Sequence, residues 1–221
     1  MKKMTRGICY ICKNEFGKVA MKNHLRKCNA QGSGKNSYFL IRVEDFYRKD
    51  YWLYLQIKDT ATLEDLDSFL RDIWLECCGH LSSFIIDDVV YDKYVDSEMS
   101  DMFSESSEKM LDYKLKDIIS ETTVFRHDYD FGSTTSLKLT VVEKYKGIET
   151  INKITLLARN IQQYECAQCG HTACYIFHDY ECETFEPFCE GCAKYYKENE
   201  DDIFIIVNSP RMGVCGYTGS L

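Results

Sequence analysis

The chain has 221 residues, 45% of them hydrophobic and 14% aromatic, with two prolines. That is enough for one sizeable core plus small modules, and too apolar for a disordered chain. The formal net charge of −8 argues against a chain that binds nucleic acid over its whole surface, and no apolar run approaches the ~20 residues of a membrane span.

The charge is unevenly spread. Residues 1–35 carry nine Lys/Arg and one acid, Glu15, so a basic head precedes an acidic body. The basic start has no apolar leader segment, and a cytoplasmic location is expected. Twelve cysteines are present. In a reduced compartment Cys-x-x-Cys pairs favour zinc over disulfides, and Cys9/Cys12, Cys166/Cys169 and Cys189/Cys192 have that spacing.

In chain order, the first element is Cys9-x2-Cys12-x11-His24-x3-Cys28. The short gap lets both thiolates of a knuckle reach one ion, and the three-residue gap puts His24 and Cys28 one helical turn apart. The stretch resembles a zinc finger of the kind with two cysteines and two histidines, with Cys28 in place of the last histidine. The resemblance puts Gly17, Ala20 and Asn23 at the base-reading positions, and two of these offer no polar side chain. Lys18, Lys22, Arg26 and Lys27 suit phosphates, which position without specifying. The finger is therefore expected to give weak, salt-sensitive nucleic-acid contact or protein docking. Too small to fold on apolar burial alone, it is expected to depend on zinc. Residues 1–30 are read as this finger and 31–37 as a linker.

Residues 38–160 read as an α+β domain. "YFLIRVED" and "YWLYLQIK" are a strand pair, and "TATLEDLDSFLRDIWLECCGH" is a helix with Thr62 as N-cap. "SSFIIDDVVYDK" is a hairpin turning at Asp87-Asp88, and an acidic, serine-rich loop follows from Asp96 to Glu108. "EKMLDYKLKDII" is a second helix, and "TTVFRHDYDFG", "TSLKLTVVEKYKG" and "INKITLLARN" are three more strands. The expected fold is a mostly antiparallel sheet with helices on one face, flanked by two small zinc-binding modules.

The order of strand, "TLEDLDSFLRDIW", "HLSSF", "VVY" and "YDFGSTTSLKL" resembles the plasmid pRiA4b ORF-3-like family, found as TnpR-type passenger proteins of insertion elements. The chain departs from many relatives after "YDFG", where Ser133, Thr134 and Thr135 stand in place of acidic residues and a tryptophan. The resemblance implies a fold and an association with mobile elements but no assigned chemistry. No serine-recombinase arrangement of nucleophile and arginines is present.

His127, Asp128 and Asp130 are candidates for hydrolase or nuclease chemistry. The competing reading gives Asp130 a turn at Gly132 and packs Tyr129 or Phe131 in the core. Cys77 and Cys78 read as ordinary buried thiols; Cys215 stands alone and reads as a nucleophile or a bland residue, the bland reading being favoured because no partner can be named.

Residues 161–221 read as a zinc-ribbon-like module, with knuckles Cys166/Cys169 and Cys189/Cys192 separated by nineteen residues. Among the intervening ligand types, His178 and Cys182 are the best placed for a further ion. Two zinc ions are thus expected, with a third in reserve. "DDIFIIVNSPRMGVCGYTG" reads as a strand and a glycine-rich loop that pack back on the ribbon or body. Four protein ligands per ion leave no position for a catalytic water, so a non-enzymatic binding protein is the expected function. The alternatives are a protein–protein adaptor without nucleic-acid binding, or a hydrolase built on the His127 region.

Overall fold

The computed structural model describes residues 5–29, 34–93, 107–179, 184–196 and 202–219. Ten strands form one sheet: β1 (Arg6–Cys9), β2 (Glu15–Gly17), β3 (Asn36–Asp45), β4 (Trp52–Lys58), β5 (Ser82–Ile86), β6 (Val89–Asp92), β7 (Glu108–Lys109), β8 (Val124–Tyr129), β9 (Thr135–Gly147) and β10 (Ile154–Asn160). Their spatial order is β2-β1-β10-β4-β3-β9-β8-β5-β6-β7. Every pairing is antiparallel except β6 with β7. The protein is a mixed α+β structure, and among the described residues no helix is long and apolar enough to cross a membrane.

The central strands are apolar at nearly every position because the sheet is covered on both sides. Phe39, Ile41 and Val43 of β3, with Leu53, Leu55 and Ile57 of β4, enter the larger core with Leu63, Leu66, Leu70 and Trp74. The alternate residues Tyr38, Leu40, Trp52 and Tyr54 enter a second core with Met21 and Leu25. Each face is one set of a period-two alternation.

Helix α1 (Lys18–Cys28) covers the second face, and α2 (Leu63–Leu70) covers the first. Thr62 and Asp65 form a reciprocal capping box that starts α2. The helix then loosens into a π turn over Arg71–Leu75 and ends before Cys77. Asp87 and Asp88 both have positive φ, 48° and 66°, which makes the tight turn between β5 and β6.

The helix expected over "EKMLDYKLKDII" is broken. It consists of β7, a 3₁₀ turn over Met110–Asp112 and the short α3 (Leu115–Ile118). Tyr113 and Lys114 stay extended, because they join the chain ahead of α2: Leu63 N–H donates to Tyr113 O and Leu115 N–H to Ala61 O. Most of the acidic loop expected from Asp96 to Glu108 lies outside the described residues.

The basic head is continuous with the sheet. Gly7, Ile8 and Cys9 of β1 face Asn160, Arg159 and Ala158 of β10. Of the expected linker, residues 36 and 37 already belong to β3 and residues 31–33 lie outside the described set. The head therefore does not depend on metal alone, as its size suggested. Met21 and Leu25 are fully buried against the sheet, worth about 1.5–3 kcal/mol each.

The C-terminal part holds a second sheet of β11 (Tyr175–Asp179), β12 (Thr184–Phe188) and β13 (Ile203–Ile205), in the order β12-β11-β13, with α4 (Glu190–Ala193) after β12. Beyond β13 the chain returns to the large sheet. Trp74 Nε1–H donates to Asn208 O at 2.9 Å, Ser209 Oγ–H to Trp74 O at 2.6 Å, and Arg211 is fully buried.

Candidate metal centres

Three groups of His and Cys side chains bring one donor atom each to within 4.8 Å of one another: Cys9/Cys12/His24/Cys28, Cys166/Cys169/Cys189/Cys192 and Cys77/Cys78/His80/Cys215. Each could hold a metal ion. No two cysteines of the described residues are joined in a disulfide.

The first group sits where the head meets the sheet. Lys13 N–H donates to Cys9 O at 2.8 Å, and Lys13 takes φ 63°, closing the knuckle. Cys12 Sγ lies 3.2 Å from His24 Nε2, and Phe16 stacks on the His24 ring at 4.0 Å. The backbone at Asn14 lowers the Cys12 thiol, whereas desolvation and the nearby Cys9 push Cys28 up to about 11. A cation among the donors removes that conflict by favouring all three thiolates together.

The second group repeats the turn. Gly170 N–H donates to Cys166 O at 2.9 Å, and Gly170 takes φ 74°. The other knuckle runs into α4, where Ala193 N–H donates to Cys189 O. Cys169 Sγ is 3.6 Å from both Cys189 Sγ and Cys192 Sγ. A tetrahedron with zinc–sulfur arms of ~2.3 Å has sulfur–sulfur edges of about 3.8 Å. Desolvation would raise the Cys166 thiol, but backbone hydrogen bonds from Cys189, Cys169 and Gln168 lower it to about 6. His171 Nδ1 lies 3.3 Å from Cys169 Sγ but is not one of the four converging donors.

Of the reserve pair, His178 stacks on Phe185 at 4.2 Å and belongs to none of the three groups. Cys182 lies outside the described residues.

The third group overturns the reading of Cys77 and Cys78 as ordinary buried thiols and of Cys215 as solitary. Cys78 and Cys215 are exposed and Cys77 half-buried. Cys78 Sγ lies 3.6 Å from both Cys77 Sγ and Cys215 Sγ, and His80 Nε2 lies 3.0 Å from Cys78 Sγ and 3.4 Å from Cys215 Sγ. Hydrogen bonding with Cys215 and Cys77 pushes the Cys78 thiol up to about 12. The sequence concealed this group because Cys215 stands 137 residues from Cys78. The one available signal was a Cys-Cys-x-His run.

His127, Asp128 and Asp130 are each engaged separately. His127 is fully buried, with Nε2 2.8 Å from Asp67 Oδ1. Asp128 pairs with Arg126 at 2.9 Å. Asp130 accepts the Gly132 and Ser133 N–H groups and pairs with Arg211 at 2.5 Å. Asp130 thus builds the turn at Gly132, and Tyr129 is fully buried in the core.

Of the four basic residues on α1, Lys18 pairs with Glu44 at 2.6 Å and Arg26 with Glu143 at 2.7 Å. Val19, Ala20, Asn23 and Lys27 are exposed.

The fold and donor sets define a mixed α+β protein with three Cys/His groups able to hold metal. No protein-family model matches the chain, and no curated protein matches it. It is similar to a solved structure of a protein of unknown function, MM3350 from Methanosarcina mazei Go1, at 14% identity and a TM-score of 0.48, over 62% of this chain and 75% of that one.

Proposed function

We propose that the chain is a zinc-binding, non-enzymatic protein that docks on another macromolecule through α1, with its two terminal Cys/His groups each holding one ion. The observation that carries this reading is the closed four-donor set at each end. Four protein donors leave no position for a reactive water, which suits a structural ion. The association with insertion elements rests on the sequence resemblance over residues 38–160.

The docking face is narrower than the composition of the head suggests. Lys18 and Arg26 are held by body carboxylates, so Lys22 and Lys27 are the residues left to supply phosphate or carboxylate contacts. Two contacts give weak binding that falls with salt. Native mass spectrometry of the reduced protein tests the metal half: Cys12→Ser and Cys169→Ser should each lower the zinc count by one. An unchanged count in both overturns it. Retention on a polyanion column tests the docking half. Lys22→Glu with Lys27→Glu should abolish salt-sensitive retention, and unchanged retention refutes that face.

A further inference from the structure

We propose that Cys77, Cys78, His80 and Cys215 form a third zinc site, which staples the C-terminal loop onto the large sheet. The inference rests on the zinc reading of the terminal groups but concerns residues that reading does not use.

The donor geometry is that of a closed Cys3His centre. With zinc–sulfur arms of ~2.3 Å and zinc–nitrogen arms of ~2.0–2.1 Å, a tetrahedron has edges of about 3.8 Å between sulfurs and about 3.6 Å between nitrogen and sulfur. The two sulfur–sulfur separations of 3.6 Å and the nitrogen–sulfur separation of 3.4 Å lie close to those edges, and the remaining 3.0 Å is shorter. A disulfide would need sulfurs ~2.05 Å apart, so no pair is bonded.

Neighbouring residues on extended chain point to opposite faces. Cys77 and Cys78 converge because the chain bends there, and Gly79 takes φ 79°. That bend is held from several sides. Glu76 Oε1 accepts Gly79 N–H at 2.5 Å and Tyr129 Oη–H at 3.1 Å, Glu76 Oε2 accepts Arg71 Nη1–H at 2.7 Å, and Arg71 Nη2–H donates to His80 O at 2.5 Å. Arg71 and Tyr129 are themselves buried, so the bend is fixed before any ion arrives.

The opposite arm is equally anchored. Buried Arg211 donates to Asp130 Oδ2 at 2.5 Å and to Ser133 O and Thr135 Oγ1 at 3.1 Å each. Its charge also acts on the Cys77 thiol, favouring the thiolate. Zinc with three thiolates carries one net negative charge, and a guanidinium beside one of those sulfurs offsets it, as outer-sphere partners do at metal centres.

Two other uses fit less well. In a Cys-His-carboxylate relay the acid must hold the imidazole nitrogen opposite the thiol. Here His80 Nε2 faces Cys78 Sγ, Cys215 Sγ and, at 3.4 Å, Asp130 Oδ2, all on one nitrogen. Asp130 is also committed to Arg211 and to its own turn. Hard cations that prefer oxygen donors do not suit three thiolates and an imidazole, whereas zinc does.

The test is zinc stoichiometry by native mass spectrometry on the full chain, purified reduced, together with Cys78→Ser and Cys215→Ser. The expected result is three ions in the parent and two in each variant. Hydrogen exchange should then be faster at Val214 and Tyr217, whose N–H groups bond to Arg211 O and Val214 O, and unchanged in β8. Two ions in the parent and two in both variants overturns the third site and leaves the terminal ions standing. No ion in the parent overturns both readings. Loss of one ion with no change in exchange at Val214 and Tyr217 overturns the staple.

Discussion

Asp67→Asn removes a carboxylate whose side chain is fully buried yet meets three cationic or protonatable partners. Arg71 Nε is 2.8 Å away, His127 Nε2 2.8 Å and Lys93 Nζ 3.1 Å. Burial would raise the Asp67 carboxyl, but the His127 hydrogen bond and the charges of His127 and Arg71 hold it far below its ordinary 3.8. Breaking a buried pair by deleting one partner typically costs about 3–5 kcal/mol. The lower end applies here, since Arg71 keeps Glu76 and Ser82 as acceptors and Lys93 is 16% exposed and can turn outward. For a chain of this size about 3 kcal/mol lowers Tm by about 6–12 °C. The assay is urea denaturation in reducing, zinc-replete buffer, with Glu15→Gln as control, because the Arg6–Glu15 pair is 62% and 51% exposed and should not move the midpoint. The sign with pH follows from the depressed carboxyl: its stabilisation is complete above about pH 4 and is lost as pH falls toward the folded-state value. The gap between parent and variant should therefore narrow in acid. A loss under about 1 kcal/mol at unchanged slope, or a gap that widens below pH 4, refutes the reasoning.

A β-carbon added at Gly7 would lie 2.4 Å from Trp52 Cη2 and 2.5 Å from Arg159 O. Gly7→Ala should cost about 1–3 kcal/mol by overpacking and expose α1 to protease, measured by denaturation and limited digestion. Chelation under reducing conditions should release the amide of Asn29, which donates to Leu25 O, while Phe84 and Phe125 in the larger core keep their exchange protection. Thr62→Ala removes the capping box and should lower stability by about 1 kcal/mol, with no change in zinc content.

Local chemistry made much of this structure readable. Asp87-Asp88 marked a turn, Thr62 a helix start, and aromatic and β-branched runs marked β3, β4 and β9. The terminal knuckles were visible because their ligands lie within a few residues of one another. What stayed hidden depends on distant pairing. Tyr113 and Lys114 have helical neighbours, yet the chain before α2 claims their backbone. Nothing near Arg6–Cys9 announces β10 as its partner, so the head read as a separate bead on a linker. Cys78 has only the Cys-Cys-x-His run as a local cue and Cys215 has none, since only the fold closes the gap between them.

The pairing of β1 with β10 also sets an order of events during synthesis. Cys9 and Cys12 leave the ribosome about 150 residues ahead of Asn160, which lies opposite Gly7. At ~5–20 residues per second this interval is roughly eight to thirty seconds. Through that time these thiols lack the complete wall of Trp52, Tyr54 and Leu157 that shelters them in the finished molecule. Nascent chains would be most vulnerable to oxidants and to the wrong metal during this interval.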